Sequence, residues 1–480
     1  MSDCDVLVIG GGINGTAIAR DAAARGLSVM LVEQGDLAQG TSSASTKLIH
    51  GGLRYLEYGD FRLVREGLSE REVMLRCAPH IIRRMRFILP HAHHVRPWWM
   101  VRLGLRLYDL LGWGSSLPRS GSLRLAGAGP YGEPLHPDIM RGFSYWDAAV
   151  DDARLVVLNA RAAEADGATI HTRTRLLSAE REAALWRAEI EDFGGERRAV
   201  MASMLVNAAG PWIAGIAGAA PRTPPRLVKG SHIVVPRLFA GDHAYLLQQP
   251  DRRIVFAIPY QGDFTLIGTT DIPFGGPPAS AAISAEETAY LCAAANRYFT
   301  TPVDPSDVIW SFAGIRALAD DGATQARAVT REYRLERSAP GDDAPLLCVI
   351  GGKITTARAL AATAVDMLTG RKADVTRDRP LPGATADVAA LAATAPPLPG
   401  EDTALRLARA YGSDLPEILA DRAGLAEDFG AGLTRAEVDW LRRREWARTA
   451  EDVLWRRTKL GLRLSADQAA RLEDYMREGA

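Results

Sequence analysis

From residue 5 to residue 33 the chain reads DVLVIGGGINGTAIARDAAARGLSVMLVE: a β-branched apolar run, a glycine turn, an alanine-rich helical stretch and a second apolar run. Two apolar runs joined by a helix predict a βαβ unit. The pattern of a short apolar strand closing on glycine recurs in MLVNAAGPW (204–212) and in LLCVIGGKITTARAL (346–360), where a polar cluster and a helix follow. GSHIVVP, RRIVFAIPY and FTLIGTTD are short β-branched runs, and Gln261-Gly262-Asp263 between the last two predicts a hairpin. Together they predict a mostly antiparallel sheet over residues 226–345. RPLPGATADVAALAATAPPLPG (379–400) is rich in Pro, Ala and Gly and predicts a linker. Beyond it the periodicity is helical, with Thr449 and Asp452 at capping-box spacing.

Gly10, Gly12 and Gly15 stand at G-x-G-x-x-G spacing between the first strand and the helix, and Glu33 ends the second strand. In a Rossmann unit the first glycine permits the tight turn, the second admits a pyrophosphate and the third lets helix and strand pack; the terminal acid meets ribose hydroxyls. The helix N-terminus adds free N–H groups facing the phosphates. An acid at this place argues against a 2′-phosphate and leaves NAD or FAD. The polar stretch TSSASTKLIHGGLRYLE (41–57) favours FAD. An extended FAD needs a second line of donors, which Thr41, Ser42, Ser43, Ser45, Thr46 and Lys47 supply, and Gly51-Gly52 lets backbone approach the flat ring. Ala209-Gly210 and Gly351-Gly352 add two further glycine turns for one large cofactor.

Length and composition limit the alternatives. A chain of 480 residues exceeds what one core usually supports, so two or three domains are expected. With 57 basic against 58 acidic residues there is no global charge to favour nucleic acid. Cys4, Cys77, Cys292 and Cys348 are scattered without CxxC spacing, which predicts plain buried thiols in a reducing compartment and no metal site. The first strand begins near residue 3, leaving no room for a signal peptide, and no run approaches the roughly 18 apolar residues of a membrane span. A cytosolic chain is expected.

The motifs IGGGINGTAIARDAAARGLSVMLVE, TSSASTKLIHGGLRYLE, FRLVREGLSEREVMLRCAPH, VDDARLVVLNA, KGSHIVVP, IGTTD, GGKITT and AEDVLWRRTKLGL together resemble, over nearly the full length, the aerobic FAD-dependent sn-glycerol-3-phosphate dehydrogenase family, within the glycine-oxidase and D-amino-acid-oxidase-like flavoproteins. The resemblance implies two-electron oxidation of glycerol 3-phosphate to dihydroxyacetone phosphate, with electrons passing through FAD to membrane quinone. Ala317, where the family more often has proline, and Ala357, where an aromatic is frequent, depart from its pattern; they bear on pocket shape. The fold class expected is α/β (α+β overall). A discontinuous Rossmann-like FAD domain covers 1–80, 145–225 and 346–378. A mostly antiparallel substrate domain covers 81–144 and 226–345, and a small α-helical domain covers 401–480.

Oxidising a phosphorylated secondary alcohol requires a cationic clamp, a proton acceptor and a flavin ring. Arg54, Arg316 and Lys353 are cations beside glycine-containing turns, and Arg suits bidentate phosphate geometry. His232 is the first candidate for the proton, with His50 second; Tyr55 and Thr270 are candidates for substrate oxygens. His232, Arg316 and Lys353 form the expected catalytic set. Gly10, Gly12, Asn14, Gly15, Glu33, Thr41, Ser42, Ser45, Lys47, Gly51, Gly52, Ala209, Gly210, Gly351, Gly352, Lys353 and Thr355 are expected at the cofactor. From Arg83 to Arg124 the chain holds eight arginines and one acid, Asp109, with Trp98, Trp99 and Trp113 among Leu and Met. That composition suits an anionic membrane surface, and a helix packed on the protein's own core is the other reading. A peripheral place on the cytoplasmic face of the inner membrane follows with the resemblance. An oxidase passing electrons from glycerol phosphate or an amine to oxygen, and a non-enzymatic flavin-binding scaffold, remain the competing functions. A homodimer is open.

Overall fold

The computed structural model describes residues 2–91, 96–126, 129–182, 184–319, 332–338, 343–385, 387–400 and 402–478. Residues 92–95 of the arginine-rich segment and the Asp320-Asp321 pair closing GIRALADD lie outside them.

Two sheets carry the molecule. The first has eight strands, with Arg334–Ser338, Leu346–Ile350, Arg197–Asn207, Cys4–Ile9, Val29–Val32 and Thr169–His171 in spatial order. Cys4–Ile9 runs parallel to both its neighbours, and Leu346–Ile350 runs parallel to Arg197–Asn207. Side chains alternate across a strand, so a strand buried on both faces reads as continuously apolar. Val6 and Val8 meet Ile18, Val156 and Leu360 of the helices Ile13–Ala24, Asp152–Ala165 and Ala357–Thr369. Leu7 and Ile9 meet Trp186 and Ile190 of the antiparallel strands that cover the opposite face.

The second sheet has ten strands, ordered Ile272–Pro273, Arg226–Pro236, Phe264–Gly268, Ile254–Tyr260, Ala244–Gln248, Ile82–Pro90, Arg141–Val150 and Leu48–Ile49; Trp310–Leu318 pairs with Arg226–Pro236, and Gly121–Arg124 with Arg141–Val150. All its pairings are antiparallel except that of Ala244–Gln248 with Ile82–Pro90. The hairpin expected at Gln261-Gly262-Asp263 is present: Tyr260 pairs with Phe264, and Gln261 and Gly262 have φ of 48° and 84°. Arg141–Val150 spans the boundary expected at residue 145, pairing with Ile82–Pro90 along nine positions. Leu48–Ile49 also belongs to this sheet, so the polar stretch before it bridges the two sheets.

The C-terminal helices Thr403–Tyr411, Arg435–Arg444 and Ala466–Glu478 close a separate core around Leu407, Trp440 and Leu472. The stretch expected as linker contains the helix Val388–Ala393, whose Val388 and Leu391 pack on that core. Thr449 and Asp452 make the expected reciprocal bonds, at 3.0 Å and 3.3 Å. All four cysteines are buried and free.

Candidate active site

Three adjacent parallel strands end at one place. Past Cys4–Ile9 the chain turns at Gly10 with φ +106°, where an added Cβ would lie 2.6 Å from the Ala208 carbonyl oxygen; at Gly15 it would lie 1.9 Å from the Gly10 carbonyl oxygen. Neither position admits a side chain. Gly12 is less restricted, with Ser42 Oγ at 3.1 Å from such an atom. Past Arg197–Asn207 come Ala209, whose Cα lies against the Gly10 turn, and Gly210 with φ +54°. Past Leu346–Ile350 come Gly351 and Gly352 with φ of 79° and 98°. Asn14, on the first helix, donates from Nδ2 to the Gly351 carbonyl at 3.0 Å and so ties the first corner to the third. The carboxyl ends of a parallel sheet are where such folds bind ligands.

The polar stretch lies across these corners. Ser42 Oγ accepts the Ile13 N–H at the helix start at 2.9 Å, and Thr41 donates to the Ile315 carbonyl at 2.6 Å. Ser45 and Lys47 turn the other way, to Asp152: Ser45 Oγ donates at 2.7 Å and Lys47 Nζ lies 3.0 Å and 2.9 Å from the two carboxylate oxygens. Their side chains fix the loop's shape. Glu33 accepts the Gly11 N–H at 2.6 Å and the Gly35 N–H at 2.8 Å, and burial pushes its carboxyl above the ordinary glutamate range. Thr355 Oγ1 accepts the His50 N–H at 3.3 Å, while the His50 ring is 6.4 Å from that of Phe256. Gly51 donates to Tyr108 Oη at 2.9 Å, and that hydroxyl donates to Asp147, which Arg71 pairs at 2.6 Å. Gly52 has φ +79° and leaves room for the Tyr55 ring, 2.1 Å from where a Cβ would stand.

Above them, neighbouring strands of the second sheet carry His232 and Arg316, while Arg54 and Lys353 follow the Gly51-Gly52 and Gly351-Gly352 turns. His232 pairs with Gly268 on one side and Phe312 on the other. Its ring stacks on Phe312 at 4.8 Å, and an added Cβ at Gly268 would be 2.0 Å from the ring, so glycine is required there. His232 is 1% exposed, with Nε2 3.0 Å from the hydroxyl of half-buried Thr46 and Nδ1 sealed from solvent. Burial, then the charges of Arg316 and Lys47, hold its pKa well below 6.5, so the imidazole is neutral. Arg316 NH1 donates to Asp271 Oδ1 at 2.7 Å, and Arg54 NH1 is 3.6 Å from Asp271 Oδ2. Lys353 Nζ lies 3.8 Å above the Tyr55 ring.

The structure thus brings together Arg54, Tyr55, His232, Arg316 and Lys353 as candidates. Thr270 is placed elsewhere: fully buried, it donates to Glu287 at 2.7 Å and accepts the Ser231 N–H at 2.9 Å. Its neighbour Thr269 accepts from Arg316 NH2 at 3.3 Å. Sequence reasoning missed Thr46 as the partner of His232, and it missed Asp271. Asp271 ends the quoted motif IGTTD, but its place beside two arginines depends on tertiary contact, Arg316 coming from the strand Trp310–Leu318 and Arg54 from the short helix Leu53–Tyr58.

The donor set fits FAD. Backbone N–H groups and a helix N-terminus line the side-chain-free corners, and Asn14 Oδ1 is buried there without a hydrogen-bond partner among the described residues. Residues 5–359 match the family profile described as FAD dependent oxidoreductase, and residues 374–477 that of the C-terminal domain of alpha-glycerophosphate oxidase. The chain is 51% identical over 489 residues to a glycerol-3-phosphate dehydrogenase of Pseudomonas aeruginosa, covering 98% of this chain and 94% of the relative. It is 49% identical over 490 residues to a D-erythritol 1-phosphate dehydrogenase of Brucella abortus, covering 98% and 97%. Its fold resembles that of a Bacillus halodurans glycerol-3-phosphate dehydrogenase solved with FAD, with a TM-score of 0.74 at 24% identity, covering 100% and 95% of the two chains. The chain belongs to the FAD dependent oxidoreductase family.

Proposed function

We propose that the protein oxidises sn-glycerol 3-phosphate to dihydroxyacetone phosphate and passes the electrons to membrane quinone. The observation that carries this reading is the convergence of Arg54 and Arg316, sharing Asp271, with neutral His232 on the neighbouring strands. Bound FAD supplies a two-electron acceptor for the hydride from the substrate's secondary carbon. Arg54 and Arg316 grip the phosphate, and Lys353 stands over Tyr55 to meet the same ligand. His232 accepts the hydroxyl proton at Nε2, the ring nitrogen on the side of half-buried Thr46, whose hydroxyl is next in line to carry it outward. Residues 1–80, 145–225 and 346–378 serve as the cofactor body in this reading, with the second sheet forming the substrate wall.

The amphipathic helix Trp98–Leu111 supports peripheral attachment to an anionic membrane. Its inner face, Val101, Leu105 and Tyr108, is buried, while Trp99, Met100, Leu103 and Leu110 are exposed, and Trp113 just beyond is 77% exposed. Trp98 faces inward, stacked on Phe143 at 3.8 Å. Among the described residues no helix is long and apolar enough to cross a membrane.

A second substrate reading, D-erythritol 1-phosphate, is favoured by the relative of that name at 49% identity. A clamp on the phosphate does not by itself measure polyol length. Parallel assays with both phosphates, with a short-chain quinone or with oxygen alone, test the proposal. Turnover of glycerol 3-phosphate with quinone and little peroxide is expected; preference for the four-carbon phosphate, or rapid peroxide formation without quinone, would replace the substrate or the acceptor.

A further inference from the structure

We propose that Asp271 is a positioning residue that aims the phosphate clamp, sharing its carboxylate between Arg54 and Arg316 so that both guanidiniums converge on one anion. This rests on the function proposed above. The two arginines come from unrelated elements, Arg54 from the short helix Leu53–Tyr58 after the Gly51-Gly52 turn and Arg316 from the strand Trp310–Leu318. Two like charges brought side by side repel each other and, on long flexible side chains, separate into solvent. Asp271 opposes this with one oxygen for each, Oδ1 at 2.7 Å from Arg316 and Oδ2 at 3.6 Å from Arg54. Its side chain is 6% exposed, against 17% for Arg54 and 23% for Arg316, so the carboxylate lies beneath the guanidiniums it holds.

The seat is built on both sides. Thr269 Oγ1 accepts from Arg316 NH2 at 3.3 Å, and Gly230 on the paired strand is open where the guanidinium lies; a Cβ there would be 2.7 Å from both NH1 and NH2. A guanidinium has five N–H donors in a fixed plane, so fixing one edge on Asp271 and Thr269 orients the rest. An ionised carboxylate has no proton to offer a phosphate, and Asp271 therefore acts through the arginines.

The test uses FAD-loaded full-length enzyme, the substitutions Asp271→Asn and Thr269→Val, and inorganic phosphate as a competitive probe of the clamp alone. Asp271→Asn is expected to raise the KM for glycerol 3-phosphate and the inhibition constant of inorganic phosphate together by about tenfold, with kcat within roughly threefold; Thr269→Val shifts both about threefold in the same direction. The flavin spectrum confirms folding, and should Asp271→Asn lose FAD, Thr269→Val decides. Unchanged or tighter binding of both phosphates, or a loss of kcat at constant KM, would overturn the positioning role. Absence of glycerol 3-phosphate turnover in the unmodified enzyme would instead overturn the proposed function.

Discussion

His232 shows how one side chain's chemistry is set by its neighbours. Strand pairing places its ring between Phe312 and Gly268, and the resulting burial holds it neutral. A neutral imidazole is the form that accepts a proton. His232→Ala should therefore slow flavin reduction in stopped flow by about a hundredfold or more while shifting substrate affinity much less. Equal reduction rates in the two proteins would remove His232 from proton transfer. The need for glycine at Gly10 and Gly15 was legible because their spacing is local to one βαβ unit. Asp271 was hidden because its meaning arises only when Arg54, far away in sequence, is brought beside it. Thr269 was missed for a related reason: it and Thr270 lie just past the strand Phe264–Gly268, where strand alternation no longer applies, and only the folded contacts show Thr270 on Glu287 and Thr269 on Arg316.

At the scale of elements, the helix Trp98–Leu111 is divided into a face packed on Phe143 and Tyr145 and a face of exposed Trp99, Leu103 and Leu110. Composition alone left a membrane face and a core face as alternatives, and the helix has both an inward and an outward apolar stripe. If the helix docks on the membrane as proposed, Trp99→Ala combined with Trp113→Ala should weaken binding to anionic vesicles by roughly tenfold or more in flotation at low salt, with turnover of a soluble quinone analogue retained. Equal flotation of the variant would move the docking surface elsewhere. The hairpin at residues 261–263 and the capping box at Thr449 were legible because turn and cap chemistry is short-range. The pairing of Arg141–Val150 with Ile82–Pro90 was not, since nothing in a strand names its partner across an intervening helix.

The whole molecule is tied together by buried charge. Asp36, three residues beyond Glu33, accepts Arg456 Nε at 2.6 Å and Arg457 NH1 and NH2 at 2.8 Å each, and Arg173 meets Asp452 at 2.6 Å. Arg154 pairs with Glu445, and Trp455 stacks on Trp310 at 4.6 Å, beside Phe312 and hence His232. The C-terminal helices are thus joined to the first sheet's glycine corner and to the second sheet. Acid should lower the stability of the fold through two buried histidines. Burial lowers His80 to about 3 and His243 to about 4, from 6.5. The folded protein holds both neutral while the unfolded chain binds their protons below pH 6.5, so stability falls as pH drops from 6.5 towards 4. At pH 5 the loss is about 2 kcal/mol for each histidine. Denaturant midpoints measured between pH 7.5 and 5 should decline along this window; a flat profile would mean that the two rings are not buried neutral.

In the proposed reaction a phosphorylated alcohol reduces a flavin held at three glycine corners. Anaerobic titration of the purified flavoprotein, following flavin absorbance, decides it. Stoichiometric bleaching by glycerol 3-phosphate is expected, and none by glycerol at the same concentration. A flavin that glycerol 3-phosphate leaves oxidised, or that glycerol bleaches equally well, would contradict it.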